Sequence, residues 1–338
     1  MKINIKVFKA VLGVALVVSV LTVVLATVLH SGTRKGIIAD TPRAAAVSEP
    51  FTVLVAGCDR VSGLTDVLML VSAKTDGGIS VLQIPRDTYA AYTGKTYKKI
   101  NGAYAQLGGE GLKDFISQSF GILIDRYMVL SPDAFCEAVD ALGGIEVEIT
   151  KTLYYNDSAQ KLYIHITKGR HLLDGNLAEQ LVRYRAGYAD GDLGRIDTQK
   201  AVMYALMQRL LDSPDGEISY KLFDVLGGKV DTDMTLSDVG RLFDAAKNTE
   251  NDNVFFVTAP GKAVTAKKSG ASYYVLSAPA MKELRHRLFI SLTGEFDLNG
   301  VFLNSANDDF LKIYSEYSDY TVHSAEDIAD SGAGVIDY

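Results

Sequence analysis

Charged residues of this chain gather where apolar runs end. Asp59 and Arg60 follow the run 51–56, Asp66 precedes the run 67–73, and Pro85-Arg86-Asp87-Thr88 follows the run 79–84. Further on come Lys98-Lys99-Ile100-Asn101, then Arg183-Tyr184-Arg185, then a segment from Asp190 through Arg195 to Gln199. Arg183 and Arg185 leave the same face of an extended segment, and Arg195 and Gln199 share a face of a helical turn. Arginine binds phosphate oxygens bidentately and keeps its charge. Two aspartates can hold a divalent Mg²⁺ that also bridges phosphate oxygens. A metal-bound pyrophosphate would use the whole set. Taken singly, each residue reads better as part of a surface ion-pair network or a strand-end cap; it is the set together that points to a ligand.

Other chemistries lack their signatures. There is no G-x-S-x-G, no G-x-x-x-x-G-K-[ST] and no H-E-x-x-H. The five histidines are scattered. His165 alternates with Tyr163 and Thr167 and reads as a packed or surface residue. Cys58 ends an apolar run and Cys136 lies in a helical apolar pattern, so both read as small buried hydrophobes, although one disulfide is possible outside the cell.

The elements that must position these residues alternate between strand and helix. Strands are expected at 51–56, 67–73, 79–84, 125–130, 145–149 and 254–258. Helices are expected within 108–121 and at 132–142, 176–184, 199–212, 236–247 and 278–288. Thr75-Asp76-Gly77-Gly78 makes a hairpin turn between the second and third strands. This alternation predicts an α/β protein, an α-β-α sandwich around a central mixed sheet. In open sheets ligands bind where strands end, which is where the charged residues fall.

Residues 10–29 carry no charge, and as a helix they would span roughly 30 Å. The run exceeds a cleavable signal segment, so a transmembrane anchor is expected. Three lysines precede it and Arg34, Lys35 and Arg43 follow it, which leaves the flanking charges balanced. A short leader without acids, 1–9, favours an inside N-terminus and an extracytoplasmic domain. The expected organisation is leader 1–9, transmembrane helix 10–29, linker 30–50, catalytic domain 51–292 and acidic tail 293–338. The net charge of −7 is concentrated in residues 305–338, which hold eight acids and one base. The rest is near neutral, which argues against nucleic-acid binding. The last residues of the tail are expected to be disordered.

Six segments occur in a characteristic order: Gly57-Cys58-Asp59 with Thr65-Asp66, Ile84-Pro85-Arg86-Asp87-Thr88, Lys99-Ile100-Asn101-Gly102-Ala103-Tyr104, Lys168-Gly169-Arg170-His171-Leu172-Leu173-Asp174-Gly175, Val182-Arg183-Tyr184-Arg185, and Gly191 through Gln199. In this order and spacing, over 52–212, the chain resembles the LytR-CpsA-Psr family. The resemblance implies a membrane-bound phosphotransferase. It would move a glycopolymer from an undecaprenyl-pyrophosphate carrier to a peptidoglycan sugar hydroxyl, with Mg²⁺ (or Mn²⁺) as cofactor. By position, Asp59 and Asp66 match the metal-binding aspartates and Arg86 the central catalytic arginine. Arg183, Arg185, Arg195 and Gln199 match the pyrophosphate-binding set, with Lys99 nearby and Arg60 as a further substrate contact. Asp59 or Asp87 would serve as base. Three positions depart from the family pattern: Arg60 follows Asp59 directly, and Leu64 and Thr198 stand where cations are frequent. The alternatives are a lipid-pyrophosphate-binding or regulatory protein without transfer, and a polyprenyl-pyrophosphate hydrolase. Helices carrying Phe115, Ile116, Phe120, Phe135 and Val139 are candidates to line an apolar groove for the polyprenyl chain.

Overall fold

The computed structural model describes residues 49–59, 62–74, 78–91, 98–157, 162–184, 192–211, 229–235, 238, 241, 242, 245, 249, 253–266, 270–289 and 319–324. The expected leader, the apolar run 10–29 expected to form the anchor and most of the linker lie outside these residues, as does most of the tail. Among the described residues no helix is long and apolar enough to cross a membrane.

The centre is a seven-stranded mixed sheet. Its strands are β1 (Phe51–Cys58), β2 (Thr65–Ala73), β3 (Ile79–Gln83), β6 (Arg126–Leu130), β11 (Val230–Thr232), β12 (Val254–Thr258) and β15 (Val322–Ser324), in the order β11-β6-β1-β2-β3-β12-β15. β1, β2 and β3 form an antiparallel meander, while β6 joins β1 and β12 joins β3 in parallel. Parallel joins need crossover connections, and helices supply them. Four small two-stranded units surround the sheet: β4 (Tyr89–Ala90) with β5 (Lys98–Lys99), β7 (Ile145–Ile149) with β10 (Gly169–Leu173), β8 (Leu153–Asp157) with β9 (Leu162–Ile166), and β13 (Gly261–Thr265) with β14 (Ser272–Leu276).

The central strands are near-continuous apolar runs because both faces are covered. Val53 and Val55 of β1 and Met69 and Val71 of β2 enter one core, with α2 (Pro132–Ala141), α3 (Gly175–Arg183) and α4 (Asp192–Leu211). Leu54, Ala56, Leu68 and Leu70 enter the other, with α1 (Ala103–Phe120) and α5 (Ala278–Leu288). Strand period two divides the residues between the faces, and the result is the expected sandwich.

Caps set several helix starts. The Ser131 hydroxyl accepts from Ala134 N at 3.1 Å, the Asp174 carboxylate from Leu177 N at 2.8 Å, and the Ser277 hydroxyl from Ala280 N at 3.3 Å. Pro132 and Pro279 occupy the first turns of α2 and α5, where no N–H is required.

Two expectations are corrected. The domain does not close at residue 292: β15 pairs antiparallel with β12, so part of the expected tail is an edge strand of the central sheet. Its three residues are too short and polar to announce a strand. The five apolar side chains proposed for a lipid groove do not share a surface either. Ile116 and Phe120 are fully buried on one side of the sheet and Val139 on the other, with Phe115 and Phe135 packed against those separate cores.

Candidate active site

The register brings the charged residues to one edge. Cys58 pairs with Thr65, so β1 leaves and β2 enters there; Gln83 at the end of β3 pairs with Met69, and Ile84 N donates to Leu68 O at 2.8 Å. The ends of β6 and β12 reach the same edge, with Leu130 opposite Gly57 and Thr258 opposite Gln83.

Asp59 organises the turn between β1 and β2. Its backbone N donates to Leu64 O at 2.8 Å. Its carboxylate accepts from Ser62 N at 2.6 Å, Gly63 N at 3.1 Å and the Ser62 hydroxyl. Gly63 has φ +65°, which favours glycine at this position. Arg60 lies outside the described residues.

Arg86 lies beside this turn. Its guanidinium Nη1 donates to Asp66 Oδ1 at 2.5 Å, and its Nε is 3.9 Å from Asp87 Oδ1. Lys99 Nζ donates to the other Asp87 oxygen at 2.9 Å. Charges therefore alternate along the chain Asp66, Arg86, Asp87, Lys99. Their side chains are 18–35% exposed, so they are open to a ligand while held in place.

The backbone around Arg86 is fixed from three directions. Thr88 N and its hydroxyl donate to Pro85 O at 3.0 and 2.6 Å. Ile100 N donates to Thr88 O at 2.8 Å and Asn101 N to Arg86 O at 3.1 Å, which ties the loop to the start of α1. Tyr274 N in β14 donates to Asp87 O at 2.8 Å. The ring of neighbouring Tyr273 meets Tyr89 edge-on at 4.8 Å, and Lys99 Nζ lies 6.0 Å from its centroid. The β13–β14 hairpin was not foreseen, because no alternation separates its residues from loop sequence.

Helix α4 comes to the edge from outside the sheet. Gln83 Nε2 donates to Gln199 Oε1 at 2.7 Å, and both side chains are buried. Arg209, later in the helix, donates to Leu142 O at 2.8 Å, after the C-terminal end of α2. The helix thus runs away from the edge, and the turn containing Arg195, four residues before Gln199, projects towards it. The Arg195 side chain is not among those described, and Arg185 lies outside the described residues. The helix begins seven residues before the expected 199, because a glycine and two aspartates in that stretch made it read as loop.

Arg183 ends α3. Gly175 N donates to Asp140 Oδ1 at 2.7 Å and Cys136 Sγ donates to Glu179 at 3.6 Å, so α3 runs antiparallel to α2. Its last residue therefore approaches the start of α2, which leaves the sheet at the Leu130 edge. There Arg183 Nη1 donates to Glu179 Oε1 at 3.2 Å, within its own helix. No described contact joins Arg183 to Arg86.

Cys58 Sγ donates to Leu130 O at 3.4 Å, and neither cysteine is in a disulfide. Burial pushes its thiol pKa up, and the nearby carboxylates Asp59, Asp231 and Asp66 push it further. Among the described residues no three His, Cys, Asp or Glu side chains are placed to hold a metal ion. Asp59 and Asp66 are hard oxygen donors at adjoining strand ends. As a pair they suit a cation that takes its other ligands from water and phosphate, as Mg²⁺ does.

The LytR_cpsA_psr family model matches residues 27–290. The chain belongs to this family. The polyisoprenyl-teichoic acid–peptidoglycan teichoic acid transferase TagU of Halalkalibacterium halodurans is 29% identical over 233 residues, 63% of this chain and 75% of that protein. TagU of Bacillus subtilis is 27% identical over 250 residues, 72% of this chain and 78% of that protein. The crystal structure of B. subtilis TagV superposes with a TM-score of 0.62 at 23% identity, covering 71% of this chain and 96% of that one, and so shares the fold. Within this LytR_cpsA_psr chain, sequence reasoning missed Asp231 and Tyr273 and named Tyr104 only as part of a motif, without a role. Asp231 sits in a three-residue strand and is bonded by side chains more than 100 residues away, a separation no local pattern reveals.

Proposed function

We propose that this chain is a membrane-anchored, extracytoplasmic phosphotransferase. It moves a glycopolymer from a polyprenyl-pyrophosphate carrier, undecaprenyl in the resemblance, to a sugar hydroxyl of peptidoglycan. The observation that carries the reading is the alternating set Asp66, Arg86, Asp87 and Lys99 at one sheet edge, in a chain whose relatives are named teichoic acid transferases. The uncharged run 10–29 supports the anchor.

An arriving pyrophosphate competes with Asp66 and Asp87 for cations already aimed at the edge. Arg86 offers two N–H groups in a plane, Lys99 a point charge, and α4 its N-terminal end, where unpaired backbone N–H groups favour anions. In transfer, the sugar hydroxyl oxygen bonds to phosphorus and the bond from phosphorus to the polyprenyl phosphate oxygen breaks, so polyprenyl phosphate leaves. Negative charge builds on the phosphoryl and leaving oxygens, where fixed cations stabilise it without rearranging. The hydroxyl proton goes to a carboxylate, Asp59 or Asp87. Asp59 and Asp66 would hold Mg²⁺ (or Mn²⁺), which supplies further charge neutralisation at the phosphates.

The test is reconstitution of the full chain in vesicles with a polyprenyl-pyrophosphate-linked polymer and peptidoglycan. Polymer covalently attached to glycan supports the reading. Polymer released free in the presence of acceptor identifies a hydrolase, and tight donor binding without turnover identifies a binder.

A further inference from the structure

A second cluster borders the charged edge. The Asp231 carboxylate accepts the hydroxyls of Tyr104 and Tyr127, each at 3.0 Å. Asp231 is exposed, and among the described residues no cation pairs with it. A carboxylate has about four acceptor positions, so two remain for a ligand. Each phenol oxygen can also accept a bond.

Strand register places this cluster relative to the site. Asp231 lies opposite Val129, and Val129 opposite Ala56, so the three project to the same face, as does Tyr127 two residues before Val129. β11 is two strands from β1, about 10 Å at the usual strand spacing. Between them, Cys58 Sγ reaches from the end of β1 to Leu130 O of β6 at 3.4 Å, and β6 is the strand that pairs with β11. The edge is thus divided by chemistry. One part is cationic, with Arg86 and Lys99, and suits phosphate. The other presents a carboxylate, which repels phosphate, and phenol oxygens whose protons are already given to Asp231; its open positions are acceptors, which suit the hydroxyl donors of a sugar.

The second part is rigid. The Tyr127 ring lies directly against Gly109, where a Cβ would sit 2.0 Å from a ring carbon, so only glycine permits the approach. Asp233 accepts Tyr127 N and Lys113 Nζ, each at 2.7 Å. Tyr104 begins the helix whose lead-in residue Asn101 bonds Arg86 O at 3.1 Å. Burial and then the Asp231 bond push the Tyr127 phenol up to about 12 and raise Tyr104 as well, so both remain donors at physiological pH.

We propose that Tyr104, Tyr127 and Asp231 form a subsite for a sugar ring of the glycan acceptor, presenting its hydroxyl-bearing chain to the phosphate-binding edge. The inference rests on the transferase reading above.

The test uses the full chain in detergent with saturating polyprenyl-pyrophosphate donor and a titrated, soluble peptidoglycan oligosaccharide. Asp231→Asn keeps an oxygen for the phenols, and Tyr127→Phe keeps the ring on Gly109. Each is expected to raise the acceptor KM tenfold or more, with a smaller change in donor KM. Lower thermal stability with unchanged acceptor KM would overturn the proposal and leave a structural clasp. Equal rises in both KM values would overturn it too. A wild-type protein that binds donor yet modifies no acceptor would defeat the transferase reading itself; active variants with wild-type acceptor KM would defeat the subsite alone.

Discussion

At the scale of residues, Arg86 is the pivot, because it meets Asp66 and Asp87 and lies on a loop pinned by Thr88, Asn101 and Tyr274. Removing a charge-assisted phosphate contact costs about 1.5–3 kcal/mol. Arg86→Ala is therefore expected to slow transfer tenfold or more. Arg86→Lys is expected to stay well below wild type, since an ammonium cannot replace the planar fork; single-turnover rates decide this. Of the residues named from sequence, Asp59, Asp66, Arg86 and Asp87 are those whose strand-end positions could be read from apolar runs, while Lys99 came with its motif. Asp231 was not legible, since its meaning comes from Tyr104 and Tyr127, which reach it across the fold.

At the scale of elements, the sequence revealed strands and helices with strong periodicity and missed those without it. The meander 51–83, α2 and α5 were read closely, because hydrophobic runs, caps and prolines mark them. The alternation of Tyr163, His165 and Thr167 marked β9, but its partner β8 and the β13–β14 hairpin were missed, since each is short and half-exposed and its partner supplies the order. The α2–α3 contact makes a sharp stability prediction. A Cβ on Gly175 would lie 2.2 Å from Cys136 O, a backbone atom that cannot swing aside. Gly175→Ala is expected to cost about 1–3 kcal/mol, lowering Tm by roughly 2–4 °C per kcal/mol. A wild-type Tm by calorimetry would mean that the two helices yield at that contact.

At the scale of the whole molecule, the sandwich brings the ends of β1, β2, β3, β6 and β12 to one edge and sends the first turns of α4 over it. The C-terminal part contributes more than its composition announced. Val322–Ser324 completes the sheet, and the Tyr320 hydroxyl donates to Glu283 in α5 at 2.8 Å. Deleting 321–338 is therefore expected to lower Tm, whereas deleting 325–338 keeps β15; equal Tm for the two truncations would contradict a stabilising role for the strand. Chelation belongs to this scale as well, because the proposed Asp59–Asp66 metal joins two strands to the substrate: EDTA is expected to abolish transfer and added Mg²⁺ to restore it, and full activity in EDTA would remove the metal from the account. The most direct measurement of the central claim is covalent attachment of labelled polymer to peptidoglycan by the full chain in vesicles, wild type beside Arg86→Ala. The account predicts labelled glycan with the wild type and at least tenfold less with the variant; equal labelling by both, or none by the wild type while donor is bound, would contradict it.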